Sequence, residues 1–359
     1  MQADAPGDIP APTPSPERRT VRSPAARPRR ATRAGTGPSL LAPGAAHDPY
    51  RLYRVLREEY PLSYDAALGA WLISRYDDVA TALTDPRFTG FPHDEAPRGG
   101  PAPLGLCHGS ARCLPSDRYT MVTATVPQHL ADRVERTAYV LARRIAARQQ
   151  ADLVDEFCRW LPAGPEPARS PRRPSGRGAP TGADTGTGPA AGDGPCTRHT
   201  ALRETALASL LANLLDDPDL LDALRIEPAL TNRAWTETLR RDPPVQVVLR
   251  RTVTEVTLSG GTLPAGAPVA CLTGAAGRDP ERFAAPDVFD PFRRDQDRGT
   301  PGPAGCPAVV LGRLEAEQGL RALLDAMPAI RWADGFRPAA TGLLTRGPKS
   351  LLVRPQDLR

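Results

Sequence analysis

The sequence is nearly without lysine. Of its 46 basic residues only Lys349 is one, and the rest are arginine. Aromatic residues are 5% of the chain and apolar residues 40%, thin for a core that uses all 359 positions. A folded part diluted by low-complexity segments is therefore expected. No run of 18 or more apolar residues occurs, so no segment reads as a membrane span. The start, Met1 to Pro6, has neither the basic residues nor the apolar stretch of a signal peptide, and the expected compartment is the cytoplasm. The six cysteines (Cys107, Cys113, Cys158, Cys196, Cys271, Cys306) form no C-x-x-C pair, and the five histidines do not cluster with them. That argues against a disulfide framework and against a tetrahedral zinc site.

Proline and glycine are in excess. They number 42 and 31, about a fifth of the chain against a usual share of roughly 12%. The formal charge of +5 and a pI near 9.0 suggest at first a nucleic-acid partner. The location of the charge speaks against it. Residues 1–47 hold nine prolines and a charge of +4, and residues 163–198 hold fifteen prolines and glycines and a charge of +2. The remaining 276 residues sum to −1. The first segment reads as a disordered tail and the second as a low-complexity insert. Neither a nucleic-acid nor a membrane partner is expected.

The rest reads as mainly α with small β-sheets. Asp48 and Pro49 open a helix with Leu52, Val55 and Leu56 at helical spacing, ended by Pro61. Strands are expected over 62–64 and 71–74, then a helix over 77–83. An amphipathic helix spans 128–149, with Leu130, Val134, Ala138, Leu141 and Ile145 on one face, and a short helix spans 152–161. Further helices are expected over 201–215, 217–224, 229–241 and 311–327. Strands fall at 245–249, 255–258 and 269–273, and near 343–344 and 351–353.

Several motifs occur in a fixed order. Asp48-Pro49-Tyr50-Arg51-Leu52-Tyr53 is followed by Gly69 to Val79 and by Asp85-Pro86-Arg87-Phe88. Later come Glu237-Thr238-Leu239-Arg240, Arg250, Pro264-Ala265-Gly266 and Asp279-Pro280-Glu281-Arg282-Phe283. The series closes with Phe289-Asp290-Pro291, Cys306 and Gly312-Arg313-Leu314-Glu315. Glu237 and Arg240, three apart on a helix, share a face and can pair. In this order the motifs resemble the bacterial cytochromes P-450, haem-thiolate monooxygenases, over residues 48–90 and 201–355.

The resemblance implies a cytochrome P-450-like fold in two parts, 48–162 and a haem-binding 199–359, with part of the central helical region missing at the insert. It implies haem b, with Cys306 as the axial iron ligand, whose thiolate donates electron density to the iron. It implies a structural triad of Glu237, Arg240 and Arg282, a buried network that braces the haem loop. Arg250 and Arg118 stand where the propionate contacts would be, a task suited to guanidinium. Glu204-Thr205 resembles the oxygen-activating acid and threonine, although the distance to Asp217-Pro218 is about three residues short. The sequence departs from the family's haem loop: Gly299 stands at the aromatic position, Ala304 at the basic one, and Pro307-Ala308 follow the cysteine.

Three readings follow. One is a divergent monooxygenase that hydroxylates a small apolar substrate with O2 and electrons from a ferredoxin and its reductase. Another is a haem-free auxiliary protein, as some bacterial members are, that activates a partner enzyme such as a glycosyltransferase. The third is a decayed, non-functional homologue.

Overall fold

A computed structural model describes residues 37–90, 128–162, 197–295 and 307–355. The chain begins with α1 (Tyr50–Glu59), β1 (Leu62–Asp65), β2 (Ala70–Ile73), α2 (Tyr76–Thr84) and β3 (Phe88–Gly90). Next come α3 (Gln128–Ala146), β4 (Ala151–Asp152) and one π-helical turn over Val154–Cys158. After them lie α4 (Thr197–Leu215), α5 (Pro218–Ile226) and α6 (Leu230–Arg241). Strands β5 (Val248–Thr252), β6 (Val256–Leu258), β7 (Gly261–Leu263) and β8 (Pro268–Cys271) lead to a single turn, α7 (Thr273–Ala276). The described chain ends with α8 (Pro307–Ala326), β9 (Arg331–Trp332), β10 (Ala340–Thr341), β11 (Gly347–Pro348) and β12 (Leu352–Arg354).

Local chemistry explains the boundaries. The Asp48 carboxylate accepts from the Tyr50 amide at 3.1 Å and turns the chain into α1. Pro61 follows its end, and Tyr53 and Leu56 carry its buried face. Asp217 caps α5 by accepting from the Leu220 amide at 3.0 Å, with Pro218 in the first turn. On α3 the buried residues Val134, Ala138, Ala142 and Ile145 recur at helical spacing, as the pattern predicts.

The main sheet has the order β1-β2-β8-β5-β3. Strands β2 and β8 are parallel, and the other pairs are antiparallel. The β1–β2 hairpin pairs Leu62 with Ile73 and Asp65 with Ala70, and turns through Gly69 at φ 69°. The largest apolar core joins α3, α4, α5, α6 and α8, and smaller ones lie on the sheet and under α1.

Four expectations need correction. Residues 37–47 are not part of a tail. Leu40 is buried, its amide donates to Asp65 Oδ2 at 2.8 Å, and Ser39 Oγ donates to the same carboxylate. The C-terminal edge of the insert also moves, because Thr197 and Arg198 belong to α4. The helix expected over 152–161 is split. Asp152 lies in β4 and accepts from the Val154 and Leu351 amides, so only the following residues coil. The strand expected at 245–249 starts at Val248, because Gln246 donates its amide to Leu344 O and Val245 bridges Thr345 instead. The rest of the 1–47 tail and nearly all of the 163–198 insert lie outside the described residues.

Candidate functional site

Glu237 sits on the buried face of α6 with no solvent exposure. Arg240, one turn on, grips it with two bonds, Nε to Oε2 at 2.8 Å and Nη2 to Oε1 at 2.7 Å. A second guanidinium completes the pairing. Arg293 Nε lies 3.0 Å from Oε1 and 2.9 Å from Oε2, and the Asp290 amide donates to Oε1 at 3.0 Å. Arg240 Nη1 also donates to the carbonyls of Gly277 and Pro286, and Nη2 to that of Val288. One buried carboxylate and two arginines thus hold the irregular chain between Gly277 and Arg293. A side chain at Gly277 would collide with the Arg240 carbonyl, so the close approach requires glycine.

The triad expected from the sequence is therefore corrected in its third member, which is Arg293 and not Arg282. The Phe292 amide bonds back to the Asp290 carboxylate at 2.8 Å, a turn that returns the chain to Glu237 at residue 293. Arg282 instead lies with its guanidinium 4.6 Å from the centre of the Tyr76 ring. The signal for Arg293 was present: it follows Phe289-Asp290-Pro291 by two residues.

Arg250 lies on β5 and is 5% exposed. It is paired across the sheet with Gly90 and Val269, and its Nη1 donates to the Leu249 carbonyl at 3.2 Å. Burial pushes the Cys271 thiol up to about 12, and the nearby charge of Arg250 partly opposes the rise. Cys306 and Arg118 lie outside the described residues.

Glu204 and Thr205 are adjacent on α4 but point to different neighbours. Glu204 faces Arg159, 3.8 Å away in a half-exposed ion pair. The Thr205 hydroxyl donates to the Ala201 carbonyl at 2.8 Å, and its methyl abuts Gly347 of β11. The residue before them does something the sequence did not flag. Arg203 is buried and pairs with the buried Glu315 of α8. A second unforeseen cluster fixes α1. Tyr50 lies between Arg278, 3.5 Å from its ring centre, and Arg346, at 5.5 Å, and its hydroxyl donates to Asp242 at 3.4 Å. Burial, with the Asp242 charge, raises the Tyr50 phenol.

The helical core on small sheets, with a carboxylate–arginine network bracing the irregular segment 277–293, agrees with the fold that the sequence resemblance implies. The Cytochrome P450 family model matches residues 205–305. Cytochrome P450 107B1 of Saccharopolyspora erythraea is 29% identical over 89% of this chain and 99% of its own length. Protein DesVIII of Streptomyces venezuelae is 42% identical over 170 residues, 45% of this chain. That alignment spans about two fifths of the relative, 42% of its length. Among solved structures, the haem domain of CYP116B5 from Acinetobacter radioresistens superposes with a TM-score of 0.65 at 17% identity, covering 90% of this chain and 98% of the other. In its family-model match, its relatives and its fold the chain is similar to the cytochrome P450 family, with the divergence its sequence identities record.

The cofactor of that family is haem b. Two features among the described residues fit it. The Glu237 network braces the segment that leads to Cys306, and Arg250 offers a buried cation whose chemistry suits a propionate. Among the described residues no helix is long and apolar enough to cross a membrane.

Proposed function

We propose that the chain acts as a non-catalytic cytochrome P450-like partner of another enzyme, a glycosyltransferase being the class expected from the sequence. The observation that carries the proposal is the divergence of Glu204 and Thr205. General acid–base work needs the acid within hydrogen-bond reach of the group it serves. Here the carboxylate is engaged by Arg159, and the hydroxyl is spent on its own helix and packed on β11. The similarity to Protein DesVIII over 45% of the chain accompanies this reading without naming a partner.

A second reading is favoured by the intact Glu237–Arg240–Arg293 network and the buried Arg250: a haem monooxygenase acting on a small apolar substrate. Cys306 would hold the iron and Arg250 a propionate, and bound haem would supply oxygen activation. The electrons would come from a ferredoxin and its reductase.

The test is the spectrum of the purified, haem-supplemented protein reduced under carbon monoxide. The partner reading expects no thiolate-type Soret band, together with copurification of a coexpressed glycosyltransferase and a gain in that enzyme's turnover. A thiolate-type band that Cys306→Ala abolishes, with substrate hydroxylation and no effect on any glycosyltransferase, would replace it with the monooxygenase reading.

A further inference from the structure

A buried cation lies away from the Glu237 network, where α1, α4, the end of α6 and the β10–β11 hairpin meet. Arg346, just before β11, is 7% exposed. Its Nη1 donates to the carbonyls of Ala46 at 3.0 Å and Gly342 at 3.4 Å, and its Nη2 to that of His47 at 2.7 Å. Carbonyls satisfy donors without cancelling a charge, and a guanidinium stays protonated at any ordinary pH. Among the described residues no carboxylate pairs with Arg346, and its Nε has no hydrogen-bond partner. The carboxylate nearby, Asp242, is already engaged. It accepts from Arg278 Nη2 at 2.7 Å, from Asn213 Nδ2 at 3.1 Å and from the Tyr50 hydroxyl. A buried charge with no counter-ion is costly.

Arg346 and Asp242 line a cavity of about 160 Å3, together with Tyr50, Ser209, Asn213 and Asp216. That is far more room than one water needs. Ser209 and Asn213, four apart on α4, share one helix face. Gly347 of β11 lies against that face, since a methyl group there would sit 3.4 Å from Ser209 Oγ. Ser209 is 4% exposed, and its hydroxyl makes no hydrogen bond among the described residues. Asn213 turns its amide nitrogen to Asp242, a group that only accepts, so its Oδ1 is left as a free acceptor. The cavity thus joins an unmatched cation to two unspent neutral polar groups.

We propose that this cavity binds a small hydroxycarboxylate anion. The carboxylate is the counter-ion that Arg346 lacks, and a planar guanidinium suits it. The hydroxyl of the ligand meets Ser209 Oγ and Asn213 Oδ1. Asp242 and Asp216 also face the cavity, and their charge disfavours a phosphate dianion relative to a carboxylate monoanion. A bound ligand ties the 46–47 segment and the hairpin, both held by Arg346, to α4. The site involves no haem, so it stands under either reading of the chain's function.

The test is an NMR-detected titration of the full chain with sodium lactate, sodium propionate, lactamide and inorganic phosphate, at constant ionic strength. Lactate is expected to bind saturably at one site. Propionate lacks the hydroxyl and is expected to bind about fivefold more weakly. Lactamide lacks the charge and is expected to bind about tenfold more weakly or less. Arg346→Gln, with its fold checked by circular dichroism, is expected to lose about tenfold or more in lactate affinity. Ser209→Ala, which removes one oxygen, is expected to bring lactate close to propionate. The proposal is overturned by any of four results: no saturable lactate binding, equal binding of lactate and propionate or lactamide, tighter binding of phosphate than of lactate, or unchanged affinity in a folded Arg346→Gln. If Arg346→Gln does not fold, Ser209→Ala and the ligand series on the parent chain decide the matter.

Discussion

Arg293 reaches Glu237 across more than fifty residues of chain and places its Nε within 3.0 Å of both carboxylate oxygens, in a site where Glu237 has no exposure. Two guanidiniums on one buried carboxylate make a network in which each member depends on the others. Removing one partner of a buried pair costs about 3–5 kcal/mol because a charge is left unpaired. Glu237→Ala strands both arginines and is expected to yield insoluble protein. Arg293→Ala is expected to lower the urea midpoint sharply, and by more than Arg282→Ala, which removes a guanidinium from the Tyr76 ring and leaves the Glu237 pairs in place. Equal effects in chemical denaturation would return Arg282 to the triad.

The Arg203–Glu315 pair makes a different prediction. Glu315→Leu alone leaves a buried cation and is expected to cost about 3–5 kcal/mol. The double replacement Arg203→Met/Glu315→Leu removes both charges and is expected to regain most of that loss, since apolar residues of similar volume often replace buried pairs without penalty. A double-mutant cycle in urea measures the coupling.

The buried thiols carry a pH prediction. Burial raises Cys158 well above the ordinary thiol range, with the charges of Glu204 and Asp152 adding to the rise, and it brings Cys271 to about 12. Both are therefore protonated at neutral pH. For Cys271 the stabilisation from keeping the thiol neutral is complete below its ordinary value of 9.0 and is lost as the pH rises toward 12. Neither cysteine is expected to react with a disulfide reagent at pH 8 until denaturant is added, and Cys271→Ser is expected to flatten the alkaline loss of stability between pH 9 and 12. Rapid reaction of either thiol in the native protein would contradict this.

Asp65 holds residues 37–47 in place. Its carboxylate accepts from the Leu40, Ala67 and Leu68 amides and from Ser39 Oγ. Asp65→Ala leaves these donors short of a partner, at about 1–3 kcal/mol for a buried one. The Leu40-Leu41 stretch is then expected to become a thermolysin cleavage site, while the parent chain resists cutting there. Cleavage at the same rate in both proteins would show that the contact does not hold the segment.

Local rules made much of the scaffold legible. The helices over α1, α3, α5 and α6 follow from apolar spacing and from Asp48, Pro61, Asp217 and Pro218 at their ends, signals within a few residues of what they control. The Glu237–Arg240 pair follows from a separation of three on a helix. Residues 37–47 were misread because proline-rich composition says nothing of Asp65, whose amide and hydroxyl partners lie some 25 residues away.

The sequence by itself determined the family resemblance, the helical face that carries Glu237 and Arg240, and the segments where charge and proline accumulate, because each is a matter of residue type and short spacing. Tertiary structure alone decided which arginine completes the network, which acid Arg203 meets and which way Thr205 turns. Those choices depend on how separate elements meet in space. A buried charge must find a partner wherever packing brings one, and packing is not written in the spacing of neighbouring residues.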